Sequence, residues 1–111
     1  MSSFKVLDAG NLEGRRKPIA RELGARAVKL NQFDSQPNQV GHEHDEVESG
    51  QQELYLALRG SGILRVDHEE VALRPGIYVL VPPESRRVVV AGPEGLSYAV
   101  DGAELDSRPP S

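Results

Sequence analysis

The chain of 111 residues has no cysteine and no tryptophan, and only three tyrosines and two phenylalanines. Without cysteine there are no disulfides, zinc–thiolate sites or thiol nucleophiles. That composition fits a cytoplasmic protein. With so few aromatics, the core has to be built from Val, Leu, Ile and Ala. Basic residues are also short: 13 Lys and Arg face 17 Asp and Glu, for a net charge of -4. No segment clusters Lys and Arg with interleaved aromatics, so nucleic acid is not an expected partner. No apolar run approaches the roughly 18 residues of a membrane span, so no membrane association is expected. The opening MSSFKVLDAG lacks the basic-then-apolar order of a signal peptide.

What remains is a chain of short alternating runs punctuated by glycine and proline. Its length suits one domain with a modest core. Residues 1–24 read as an N-terminal extension, with a short strand over Phe4, Val6 and Leu7 and a helical turn over Pro18–Leu23 that has proline at its start. In ARAVKLNQF, from Ala25, Val28 and Leu30 alternate with Lys29 and Asn31, a strand pattern that DSQPNQVG then breaks. Further strands are expected over Glu53–Arg59, Ile63–Val66, Glu70–Leu73, Ile77–Val81, Arg86–Ala91 and Leu96–Val100. The turns between them are Gly60-Ser61-Gly62, Asp67-His68, Arg74-Pro75-Gly76, Pro82–Ser85 and Gly92-Pro93-Glu94-Gly95. Short β-runs at such regular intervals argue for an all-β sandwich or barrel. Residues 25–102 would form the barrel and 103–111 a mobile polar tail.

The segment GHEHDEVESGQQELYLALRGSG, Gly41 to Gly62, carries the chemistry. If His42 and His44 lie on a strand, their i, i+2 spacing points both imidazoles to one face. Their nitrogens can then meet one ion, and a carboxylate from the next strand completes a set that suits Fe(II), Mn(II) or another divalent metal such as Ni, Cu or Zn. The opposing reading is a pair of exposed loop histidines in an acidic segment. Asp45, Glu46 and Glu48 read as a solvated acidic run. On the strand ELYLALR, Glu53, Tyr55 and Ala57 share one face, and Leu54, Leu56 and Leu58 the other. A tyrosine in a cavity is able to hydrogen-bond a ligand, which makes Tyr55 a candidate ligand-binding residue. His68 falls in a turn and is expected to be exposed.

Across residues 25–101 the sequence resembles a small single-domain cupin. RGSG, VDHEEV, LRPG and VPP stand in that family's order and spacing. Its first motif is matched by His42-x-His44 and by Glu53, with six residues between it and Gly60. Gln36 stands where the motif begins with glycine, and eight residues rather than three or four separate His44 from Glu53. Glu48 has the family's spacing from the histidines but not to Gly60. In the second motif Gly76 and Pro82 match, whereas Glu84, Arg87 and Ala91 replace its glycine, histidine and asparagine. The resemblance implies an all-β double-stranded β-helix, a jelly-roll barrel of two antiparallel sheets, with Glu53 facing the cavity. It also implies metal ligands His42, His44 and Glu53, and pairing into a homodimer near Leu54, Leu56 or Leu58.

The replacement of a ligand histidine by Arg87 divides the functional expectation. A guanidinium stays charged and has no lone pair for a metal. Either a three-ligand metal site survives and Arg87 orients a small anionic or oxygenated substrate, giving an oxygenase- or isomerase-type enzyme. Or the metal site is degenerate, Arg87 binds an anionic ligand or pairs with Glu53, and the domain is a non-enzymatic binding or sensory module.

Overall fold

The computed structural model describes residues 3–105. The chain forms β1 (Arg16–Lys17), α1 (Ile19–Leu23), β2 (Leu30–Ser35), β3 (Gln51–Val66), β4 (Glu69–Leu73), β5 (Tyr78–Val81) and β6 (Arg87–Glu104). All strand pairings are antiparallel. No helix among the described residues is long and apolar enough to cross a membrane.

Two long strands organise the fold. The first part of β3, up to Leu56, lies between β5 and the distal part of β6, which in turn pairs with β2 and through it with β1. The second part of β3, from Gly62, lies between β4 and the proximal part of β6. Each long strand therefore serves both halves of a jelly-roll barrel. The halves share one core, including Tyr55, Ala57, Leu64, Leu73, Val81, Val89 and Leu96. It is almost wholly aliphatic, as the scarcity of aromatics requires.

The glycine-rich segments behave differently from the turns expected of them. Gly60-Ser61-Gly62 bends β3 without ending it: Gly60 pairs with Leu96 and Gly62 with Ala91. The four residues Gly92–Gly95 thus loop out opposite Ser61 alone. Glycine is required because the strands come too close for a side chain. A Cβ at Gly60 would sit 2.3 Å from the Gly95 carbonyl oxygen, and one at Gly62 2.5 Å from that of Val90. Asp67-His68 does form the expected turn, a two-residue hairpin closed by the Val66–Glu69 pair, with Asp67 at φ 52°.

The extension differs in one respect. Phe4, Val6 and Leu7 form no strand; Phe4 and Val6 stay exposed, and the strand of this region is Arg16–Lys17, which finds an edge to pair with on β2. The helical turn forms as α1, preceded by Pro18 and closed by Gly24 in the left-handed conformation. β2 starts at Leu30, later than the alternation suggests, and runs through Asp34 and Ser35. β6 extends to Glu104; of the expected tail, residues 106–111 lie outside those described.

Candidate functional site

The Val81-Pro82-Pro83 segment is the hub of the site. Proline has no N–H, so this loop offers carbonyl acceptors with few donors of its own. Arg87 Nη2 donates to the carbonyls of Pro82 (2.8 Å) and Val81 (3.3 Å), and the Glu46 amide donates to that of Pro83 (2.9 Å). The backbones of His44 and Arg87 exchange both hydrogen bonds, at 3.0 and 2.8 Å. The His-x-His segment is therefore pinned along the edge of proximal β6, and not as a regular strand. Val40 pairs with Val90 but His44 with Arg87, a one-residue slip in register.

His42 and His44 nevertheless lie side by side, with ring centroids 5.8 Å apart and planes within 8°. Both line a cavity of about 340 Å³, together with Glu53, Tyr55 and Arg87. All five residues singled out in the sequence thus converge on one cavity. A group at the edge of this cavity could hold a cation: donor atoms of His44, Glu46 and Glu53 all lie within 4.8 Å of one another, with Glu46 outside the cavity wall itself. His42 is exposed and stands outside that group, and Glu48 is also exposed.

Glu46 was not a sequence candidate, because a residue in an acidic run reads as solvated. Here its carboxylate accepts from His44 Nδ1 at 2.9 Å and from Ser49 Oγ at 2.7 Å. These two bonds fix the carboxylate beside the imidazole. The available signal was the His-x-Glu spacing followed by a serine able to cap the loop.

Glu53, at the start of β3, accepts from the Tyr55 hydroxyl at 2.8 Å and faces Arg87 Nε at 3.8 Å. Arg87 itself is 1% exposed, and its Nε and Nη1 have no hydrogen-bond partner. Burial, reinforced by the charge of Glu53 and the bond to it, raises the Tyr55 pKa far above its ordinary value. Burial raises that of Tyr98 too, against the opposing effect of Arg15. Both phenols stay protonated, and neither serves as a base; the Tyr55 hydroxyl donates to Glu53, and that of Tyr98 accepts from Arg15. The expected division of β3 holds, with Tyr55 and Ala57 buried and Leu58 exposed on the other face.

No protein-family model matches the chain. A cupin protein from Bacteroides fragilis superposes at a TM-score of 0.80 with 17% identity, covering 100% of this chain and 92% of that one. The chain therefore has the cupin fold. Over 47 residues, 42% of its length, it is 43% identical to the dimethylsulfoniopropionate lyase DddW of Ruegeria pomeroyi; that stretch spans 31% of the lyase. The lyase DddQ of the same organism shares the fold at a TM-score of 0.62 and 15% identity, over 77% of this chain and 42% of that one.

Proposed function

We propose that the protein is a small-molecule-binding cupin that acts as a divalent-metal-dependent enzyme on a small anionic or oxygenated substrate. The compact donor group of His44, Glu46 and Glu53 carries this reading. One imidazole and two carboxylates suit a borderline divalent ion such as Mn, Fe or Zn and leave positions for substrate. His42 joins the set if its exposed ring turns inward. A bound ion would polarise a substrate oxygen. The chain's own residues hold the site in shape: Glu46 orients His44, Tyr55 steadies Glu53, and Arg87 is the cationic wall against which a ligand is oriented.

The local likeness to DddW makes β-elimination the first reaction to test. In dimethylsulfoniopropionate, a base takes a proton from the carbon beside the carboxylate and the bond to sulfur breaks with its electron pair passing to sulfur, giving acrylate, dimethyl sulfide and the protonated base. The alternative is a non-enzymatic binding or sensory module, and the approach of Arg87 to Glu53 favours it. Dialysis against Fe, Mn, Ni, Cu and Zn followed by elemental analysis, with a dimethyl sulfide assay, separates the two. The enzyme reading expects stoichiometric metal that is lost in the double variant His42→Ala, His44→Ala, and released by acid because imidazole must be neutral to coordinate. Wild type without metal, or a double variant that keeps it, contradicts that reading. A cytoplasmic homodimer is part of the same proposal. Leu58, Tyr78 and Leu80 stand exposed on the outer face of the barrel and support pairing there. A monomer in light scattering at high micromolar concentration would contradict it.

A further inference from the structure

The cavity differs in charge from the chain that forms it. The whole sequence carries a net charge of -4. The cavity wall carries Arg15, Arg16 and Arg87 against Glu53 alone. Three positive charges against one negative leave a wall with two net positive charges when the histidines are neutral. Such a wall concentrates anions.

Arg15 is the residue in this wall that no sequence pattern marked. It comes from the extension just before β1 and reaches the cavity across β2. Its guanidinium lies over the Phe33 ring, 5.2 Å from the centroid, and Nη2 donates to the Tyr98 hydroxyl at 3.3 Å. Its Nε is buried without a hydrogen-bond partner. Arg87, on another strand of the same cavity, also has buried donors without partners, Nε and Nη1. Unpaired buried donors are costly, and arginine's planar fork matches a carboxylate. Phe33, Val88, Val89 and Val100 supply apolar wall beside these donors. The volume, about 340 Å³, is near the lower end for small-molecule sites.

We infer that Arg15 is a binding residue for the carboxylate of a small, partly apolar ligand, with Tyr98 holding its guanidinium in place and Arg87 contributing the neighbouring positive field. The inference rests on reading this cavity as the ligand site, and does not depend on a metal being bound.

The probe is butyrate, with butyramide as its neutral counterpart and inorganic phosphate as a tetrahedral anion. The arginine Nε–H resonances are followed by 15N NMR in the full chain without added metal. Butyrate is expected to shift the Arg15 Nε–H signal saturably, while butyramide and phosphate leave it unmoved. Arg15→Gln should weaken butyrate binding by about tenfold or more, and Arg74→Gln, at an exposed position away from the cavity, should leave it within about twofold. An unchanged melting temperature in Arg15→Gln shows that the fold is intact; if it falls, Arg15→Lys, which keeps the charge, provides the test by binding butyrate more weakly than wild type. Equal response to butyrate and butyramide, tighter binding of phosphate, or wild-type affinity in Arg15→Gln would overturn the inference. Mn(II) binding is measured on the same samples. Butyrate binding through Arg15 without Mn(II) binding leaves this inference standing and removes the metal reading; the converse removes this inference alone.

Discussion

Two arginines face the same cavity and differ in how they are held. Arg87 lies at the floor, 1% exposed, with Nη2 fixed by two backbone carbonyls of the proline loop and its backbone bonded to His44. Arg15 lies at the mouth, half-buried, held by an aromatic face and one phenol. The first is part of the architecture that positions the site. The second is anchored by weaker contacts and keeps a donor for a ligand. Residue type alone does not distinguish the roles; the number and kind of backbone partners does.

The largest expected effect tests the floor. Arg87→Met removes the donor to Val81 and Pro82 and leaves Glu53 without its counter-charge, so urea unfolding should show a loss of roughly 3 kcal/mol. Arg15→Met should cost less, about 1 kcal/mol by the same measurement, in line with one cation–π contact and one hydrogen bond. If the two variants lose equal stability, the distinction between floor and mouth fails.

Glu46 sharpens the comparison on the metal side. Glu46→Gln keeps the size of the side chain but removes the charge that orients His44, and metal affinity measured by calorimetry should fall by about 10- to 100-fold. An unchanged affinity would make Glu46 part of the loop only.

The smallest effect concerns how Arg15 is delivered. Asp34 on β2 bonds Lys17 on β1, and its amide donates to the Arg15 carbonyl at 2.8 Å. Burial pushes the Asp34 carboxyl up, but the bonds from Lys17, Gln32 and Ser97 outweigh it and hold the pKa below its ordinary value. A lowered folded-state pKa gives stability that is present above the unfolded value and lost as pH falls through the folded one. The contribution, no more than about 1 kcal/mol, should therefore be complete at neutral pH and fade below about pH 4. Asp34→Asn should remove it at pH 7 and leave little difference from wild type in strong acid. A difference that grows on acidification contradicts that sign.

The fold was legible in the sequence because alternation and turn residues are local signals. Glu53, Tyr55 and Ala57 fall on one face simply because strands have a period of two. The bends at Gly60–Gly62 and Gly92–Gly95 read as turns because glycine announces a special backbone, not which kind. Whether it ends a strand or lets two strands approach depends on a partner distant in sequence. The convergence of His42, His44, Glu53, Tyr55 and Arg87 on one cavity was legible through family spacing. Arg15 and Glu46 were not. Arg15 acts through Phe33 and Tyr98, 18 and 83 positions away, and Glu46 is distinguished from its acidic neighbours only by the turn that folds it back onto His44 and Ser49.

A cation held at His44, Glu46 and Glu53 and an anion held at Arg15 would lie in and beside the same cavity. Ligands that meet in one cavity with opposite charge must favour each other, and the coupling is reciprocal. The direct measurement is the Mn(II) dissociation constant, by electron paramagnetic resonance, with and without saturating butyrate. Mn(II) is expected to bind wild type, to bind about fivefold or more tightly with butyrate, and to show no such tightening in Arg15→Gln. Absence of Mn(II) binding, or an affinity that butyrate leaves unchanged, would contradict that expectation.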